Sequence, residues 1–312
     1  MNEILDQLKI NSNVPLIEST DSSDIELSDK LIGRLIQDKY NTSLAYQISD
    51  VQALTGPYGQ VFTSRRSPDT SDFEIIKKEV QTQTNLIDTG FTQEVIQDLK
   101  HLYNASAKNV AMNVIKGLSD QEENRTLLTK LFQESEVKPA LTVQDSHMFE
   151  SVIFQISQKV SQSVIEMNRD SYKTLDSFCI LPKDFAAAVL GSFNYMSEGK
   201  ERSLFVGRIG RTDYYINPFP NTTSQFTDDF SIDYESEDSS IPNYAYVGLK
   251  TKQDGKASLI FCPYLYESEY ITDPDTGEAK LFVRNRYGLV TSPLHQPLEN
   301  KSLLHKFELI KA

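Results

Sequence analysis

Tryptophan is absent from the 312 residues, cysteine occurs twice and histidine four times. Each scarcity removes a class of function. Cys179 in SFCILP and Cys262 in LIFCPY stand far apart in apolar surroundings. Isolated thiols of that kind read as core packing, not as a disulfide framework or a metal site. His101, His147, His295 and His305 do not gather into a ligand set of usual spacing, so no metal centre is expected. Positive charge is also short: 31 Lys and Arg against 44 Asp and Glu leave a formal net charge of −13. A protein that grips nucleic acid needs a basic stripe to replace phosphate counterions, and none is present. No apolar run approaches the roughly 18 residues of a membrane helix. The start, MNEILDQLKINSN, lacks the basic region and apolar run of a secretory signal, which predicts folding in a reducing cytoplasm. Gly-x-Ser-x-Gly is missing, so a hydrolase triad has no anchor. Gly207-x-x-Gly210 lies between predicted strands without the helix that a phosphate loop needs. The expectation is a protein that is not an enzyme and has no cofactor.

What is present is a sequence of contrasting segments. The length predicts about two domains or one elaborate one. Residues 1–45 are polar and weakly patterned, with too few apolar residues for a core of their own, and read as an arm that packs on something else. Residues 46–86 read as β: Tyr46, Ile48, Val51 and Leu54 lead to the turn Thr55-Gly56-Pro57-Tyr58-Gly59, Val61 to Thr63 resume a strand, and 73–82 return. This hairpin is rich in Arg, Lys, Glu and Gln and has little to bury by itself. From 92 to 134 the pattern turns helical, through Val95, Ile96, Leu99, Leu102 and Tyr103, then Val110 to Leu118, then a short helix around Leu127 to Phe132. In 145–170, Phe149, Val152, Ile153, Ile156, Val160, Val164 and Met167 recur at helical spacing, predicting one long helix. Then come a buried strand at 178–182, a helix at 183–190, and strands at 203–209, 212–216, 245–249, 257–263 and 280–286.

The acidic loop 220–243, with Asp228, Asp229, Asp233, Glu235, Glu237 and Asp238, lacks the spacing and glycine of a calcium loop and reads as solvated surface. Arg65-Arg66 and Arg284-x-Arg286 are basic spots suited to pairing with a neighbour's carboxylates. A chain with no convergent polar site, a detachable arm and an extended charged hairpin spends its residues on contacts. Unpaired strand edges invite addition of another strand. The composition points to an assembly protein.

Three collinear segments resemble the major capsid proteins of T-even-like contractile-tailed phages, a branch of the Hong Kong 97 capsid fold. The first is Ile48-Ser49-Asp50-Val51-Gln52-Ala53-Leu54 with Gly56-Pro57-Tyr58-Gly59-Gln60-Val61-Phe62. The second is Glu94-Val95-Ile96-Gln97-Asp98-Leu99-Lys100. The third runs from Tyr246-Val247-Gly248-Leu249-Lys250 through Ala257 to Tyr264 and Asp273-Pro274-x-Thr276-Gly277, ending in Arg284-Asn285-Arg286-Tyr287-Gly288-Leu289. The resemblance implies an α+β fold. Its parts are an N-terminal arm (1–45), an extended hairpin loop (46–91), a peripheral domain (92–174) with a spine helix at 145–170, an axial domain (175–292), and a C-terminal segment (293–312) returning to the peripheral domain. It implies hexamers, and pentamers, of an icosahedral head, assembled in a bacterial cytoplasm with scaffold, prohead protease and portal. Vertex or decoration proteins are further implied partners, and no membrane or sequence-specific nucleic acid is.

The family's propeptides are cut after a Glu preceded two positions earlier by Leu or Ile. Leu16-Ile17-Glu18 fits, making Glu18 the candidate cleavage site. Arg65, Arg66, Lys77, Lys78 and Glu79 on the hairpin are the candidate inter-subunit contacts. The chain departs from the family in being short and in having helical sequence at 105–143 with no obvious counterpart. A pentameric vertex paralogue and a cellular nanocompartment shell of the same fold are the alternatives. A metal enzyme built on Asp228, Asp229 and Asp233 is the remote one.

Overall fold

The computed structural model describes residues 43–66, 73–92, 94, 107–143, 149–168, 176–190, 204–219, 243–250, 257–272, 279–296 and 302–311. Residues 1–42 of the arm, with Glu18, the helical run at 95–106 and residues 220–242 of the acidic loop lie outside the described residues.

Two sheets organise the rest. The larger has six strands, formed by β5 (Glu136–Val143), β6 (Ser177–Leu181), β7 (Phe205–Ile209), β8 (Thr212–Ile216), β9 (Tyr244–Leu249) and β12 (Leu304–Lys311), in the order β5-β12-β9-β6-β8-β7. Every residue of β6 is buried, as expected of a central strand with both faces covered. Its side chains alternate between two cores. Cys179 and Leu181 point into one core with Tyr214, Val247, Phe307 and Leu309, where helices α3 (Phe149–Met167) and α4 (Lys183–Leu190) cover the sheet. Phe178 and Ile180 point into the other, with Tyr215, Tyr246 and Leu304.

The second sheet has four strands, β1 (Asp50–Val51), β4 (Gln83–Phe91), β10 (Leu259–Thr272) and β11 (Ala279–Thr291), in the order β1-β10-β11-β4. Helix α2 (Ala107–Glu134) is 28 residues long, about 42 Å at 1.5 Å per residue. Ile115 of its first half packs on Leu281 and Val283 of β11. Polar bonds continue the seam: Asn285 Nδ2 donates to Glu123 Oε1 at 2.6 Å, Tyr287 OH to Thr126 Oγ1 at 3.1 Å, and Asn85 Nδ2 to Tyr287 OH at 3.0 Å. Leu127, Leu128 and Leu131 then reach the core shared by both sheets, with Phe261, Tyr287 and the short helix α1 (Leu44–Ile48).

Strands β2 (Tyr58–Arg66) and β3 (Phe73–Gln81) make a separate antiparallel hairpin, with Tyr58 opposite Gln81 and Arg66 opposite Phe73.

Several expectations change. Residues 46 and 48, read as β, lie in α1, where all five residues are buried and tertiary contact overrides a pattern too short to show helical period. The 145–170 helix is described from 149 to 167 and covers the six-stranded sheet, whereas the longer helix is α2. Alpha-2 was broken up in the sequence because its packed face carries Ser119, Glu123 and Asn124, all buried, so the apolar period lapses where hydrogen bonds replace it. Residues 136–143, read as part of extra helical sequence, form a strand. Strands at 257–263 and 280–286 extend to 259–272 and 279–291. They form a sheet with β4 and not with the strands at 177–249, a grouping set by partners almost 200 residues away. The C-terminal segment ends in β12, which lies between β5 and β9 of the six-stranded sheet.

Candidate assembly surface

The hairpin is held at its root and bare along one side. After β1, Gln52 N–H donates to Phe261 O at 3.0 Å and Leu54 N–H to Pro263 O at 2.9 Å, continuing the chain alongside β10. The Gln52 side chain then bonds the backbone of Phe62 in both directions, each at 3.4 Å. Thr82 N–H donates to Pro57 O at 3.0 Å and closes the base. Val61 and Val80 are buried there with Leu54, Ile260 and Cys262. Two glycines allow the fit. A Cβ on Gly59 would meet Leu54 Cδ2 at 2.5 Å, and one on Gly288 would overlap Val80.

Alternation then sends the other side chains to solvent. Tyr58 (71% exposed), Phe62 (48%) and Ile75 (65%) share this outer face with Gln60, Lys77, Glu79 and Gln81. Lys77 Nζ stands 5.5 Å from the Phe62 ring centre, a contact that holds the ring without covering it. Three large apolar side chains on one face of a two-stranded ribbon form the kind of patch that marks an interaction surface.

Of the sequence candidates, Lys77 and Glu79 lie on this outer face. Lys78 does not: its Nζ donates to Thr291 Oγ1 at 2.7 Å and Thr291 O at 3.1 Å, pinning the hairpin to β11 of its own chain. Burial there lowers its pKa. Arg65 and Arg66 are placed by backbone in β2 opposite Glu74 and Phe73, and their side chains lie outside the described residues. The sequence candidates are all charged, and Tyr58, Phe62 and Ile75 are not among them. The alternating apolar residues opposite Val61 and Val80 were the available signal.

Among the described residues, Arg284 is also exposed, on the face of the four-stranded sheet opposite α2. Leu86 and Glu267 flank Arg284 in register, with Arg284 3.5 Å from Glu267. Leu86 is 60% exposed.

Burial pushes the Cys262 thiol up to about 12, and that of Cys179 further. Among the described residues no group of three or more His, Cys, Asp and Glu could hold a metal ion. No described helix is long and apolar enough to cross a membrane.

Comparison with known proteins agrees with this picture. A chain in the head structure of Helicobacter pylori bacteriophage KHP40 matches with a TM-score of 0.52 at 10% identity, covering 100% of both chains. A chain of Mycobacterium phage Ogopogo matches at 0.52 and 13%, covering 86% of this chain and 92% of its own. A virus-like particle from Pyrococcus furiosus matches at 0.51 and 12%, covering 91% and 100%. No curated protein sequence matches. The fold is the Hong Kong 97-type capsid fold. The family model described as major capsid protein Gp23 matches residues 222–307, the stretch that holds β9, β10, β11 and the start of β12.

Proposed function

We propose that this chain is the major capsid protein of an icosahedral phage head, acting by self-assembly. The match of residues 222–307 to the Gp23 family, on a chain with the capsid fold, carries the reading. Hexamers, with pentamers at the vertices, are the expected capsomers. The four-stranded sheet with α2 corresponds to the peripheral domain, α2 being its spine. The six-stranded sheet with α3 and α4 corresponds to the axial domain. The β2–β3 hairpin is the extended loop, whose outer face of Tyr58, Phe62, Ile75, Lys77 and Glu79 lies on a neighbouring copy. Each such contact contributes little, and repetition around a closed symmetric shell makes the sum large. Scaffold, prohead protease and portal are the partners in assembly, with Glu18 the cleavage site.

Negative-stain electron microscopy tests this on protein expressed alone and with its scaffold and protease. Closed shells, tubes or sheets with a hexagonal lattice are expected. A discrete monomer or dimer under every condition would overturn the reading, and isolated pentamers would reassign the chain to the vertices. The likeness to the Pyrococcus particle favours one second reading, a shell that encloses something other than a genome. Particles purified from their source and found to hold protein cargo and no DNA would select it.

A further inference from the structure

Between β11 and β12 the chain makes a tight turn in which His295 N–H donates to Ser292 O at 2.9 Å. The His295 ring is used on both sides. Nδ1 accepts the backbone N–H of Leu303 at 3.0 Å, so it carries no proton, and Nε2 faces Glu134 O at 3.1 Å, to which it donates. One neutral ring therefore ties together the end of α2, the exit from β11 and the approach to β12. Thr291, four residues before His295, is the residue that receives Lys78 from the hairpin. Ser292 N–H donates to Ser258 O at 2.9 Å, and Ser258 in turn bonds Leu303 O at 2.5 Å, closing the circuit.

We propose that His295 is a proton-operated latch: protonation of its ring releases Leu303 and loosens the seat of the β2–β3 hairpin. An imidazolium has two N–H donors and no acceptor. Its Nδ1–H would point at the Leu303 N–H, turning a hydrogen bond into a donor–donor clash. The surroundings divide in sign. Burial and Lys78 of β3 hold the ring neutral, while Glu134 of α2 and Glu136 of β5 favour its charge. Glu134 is already ion-paired with Lys130 at 2.8 Å, which blunts its pull. Of the adjoining groups, His305 of β12 stands 3.8 Å from Glu136, Lys138 of β5 is paired with Glu166 of α3 at 3.1 Å, and Lys306 of β12 donates to the Phe132 carbonyl. The latch gives the assembly reading a control: acid frees the element that lies on the neighbouring subunit.

The test uses the full chain, unassembled, at about pH 8 and about pH 5, on either side of the ordinary histidine range. Nitrogen NMR of the four imidazoles should find the His295 ring in the Nε2–H form, titrating below the ordinary histidine range. Hydrogen exchange, corrected for intrinsic rates, should show protection near the hairpin root falling about tenfold in acid, the scale of one lost buried hydrogen bond. His295→Gln, which cannot gain a proton there, should remove that fall, whereas His305→Gln should keep it. An equal fall in His295→Gln overturns the latch. Should that variant not fold, the wild type decides: the ring titrating with no change at the root also overturns it. The inference rests on the shell reading only for its consequence. Unassembled chain reports on the latch and microscopy on the shell, so failure of one is told from failure of the other.

Discussion

At the residue scale, the sharpest energetic feature is a charge buried at the end of the six-stranded sheet. Asp213 of β8 accepts from Lys250 Nζ at 2.6 Å and is ion-paired with Arg208, whose Nε stands 2.9 Å away, and Lys250 also reaches Tyr215 OH at 2.8 Å. Asp213 and Lys250 are both buried. Removing one partner leaves the other charge unpaired away from water, so Asp213→Ala should cost about 3–5 kcal/mol in urea unfolding. The double change Asp213→Leu with Lys250→Met should recover most of that loss. His305 sets a pH dependence of stability. Burial first, then Lys138, lowers its pKa to about 4, against about 6.5 unfolded. The unfolded chain binds this proton and the folded one does not, so stability is whole above about pH 6.5 and falls as the pH drops toward 4. The loss is on the order of 2–3 kcal/mol. Urea midpoints across that range should show the slope, and His305→Gln should flatten it.

At the element scale, the hairpin divides into a root that folds the chain and an outer face that does not. Val61, Val80, Lys78 and Gln52 belong to the root. Tyr58 and Phe62 belong to the outer face. Tyr58→Ser with Phe62→Ser should leave the melting temperature of the unassembled chain almost unchanged and abolish ordered shells or lattices in micrographs. Gly288→Val should do the reverse in kind. It drives methyl groups into Val80, costs about 1–3 kcal/mol by overpacking, and tilts the hairpin off β11. Calorimetry with hydrogen exchange at residues 58–81 separates the two outcomes. Alpha-2 shows why an element can escape its own sequence. Its buried face alternates Ile115 and the three leucines with Ser119, Glu123 and Asn124, whose partners are Asn285 and the Leu44 amide. A helix that packs partly by hydrogen bonds has no continuous apolar stripe to read.

At the scale of the molecule, the two sheets share one core. Leu127, Leu128 and Leu131 of α2 meet Phe178 and Ile180 from one sheet and Phe261 and Tyr287 from the other. The rings of Phe261 and Tyr287 are tilted against each other with centres 5.1 Å apart, and the Tyr46 ring of α1 lies 4.7 Å from that of Phe261. Such a joint predicts one cooperative unfolding transition, with calorimetric and van't Hoff enthalpies in agreement. Leu131→Ala should lower that single transition, by about 2–5 kcal/mol, without splitting it in two.

What the sequence determined by itself was local or collinear. The turn at 55–59, the hairpin, the α4 helix at 183–190 and the strand at 177–181 follow from turn chemistry and short-range periodicity, which need no distant partner. The capsid fold was legible from the order of three motifs. The tertiary structure decided which strands share a sheet, because β4 meets β11 and β5 meets β12 only after the chain has closed on itself. It also decided that α2 is one long helix, that Lys78 is spent on Thr291, and that Tyr58, Phe62 and Ile75 are the side chains left outward. Each of these depends on what lies across a contact between residues far apart in the chain, and no local pattern carries that information.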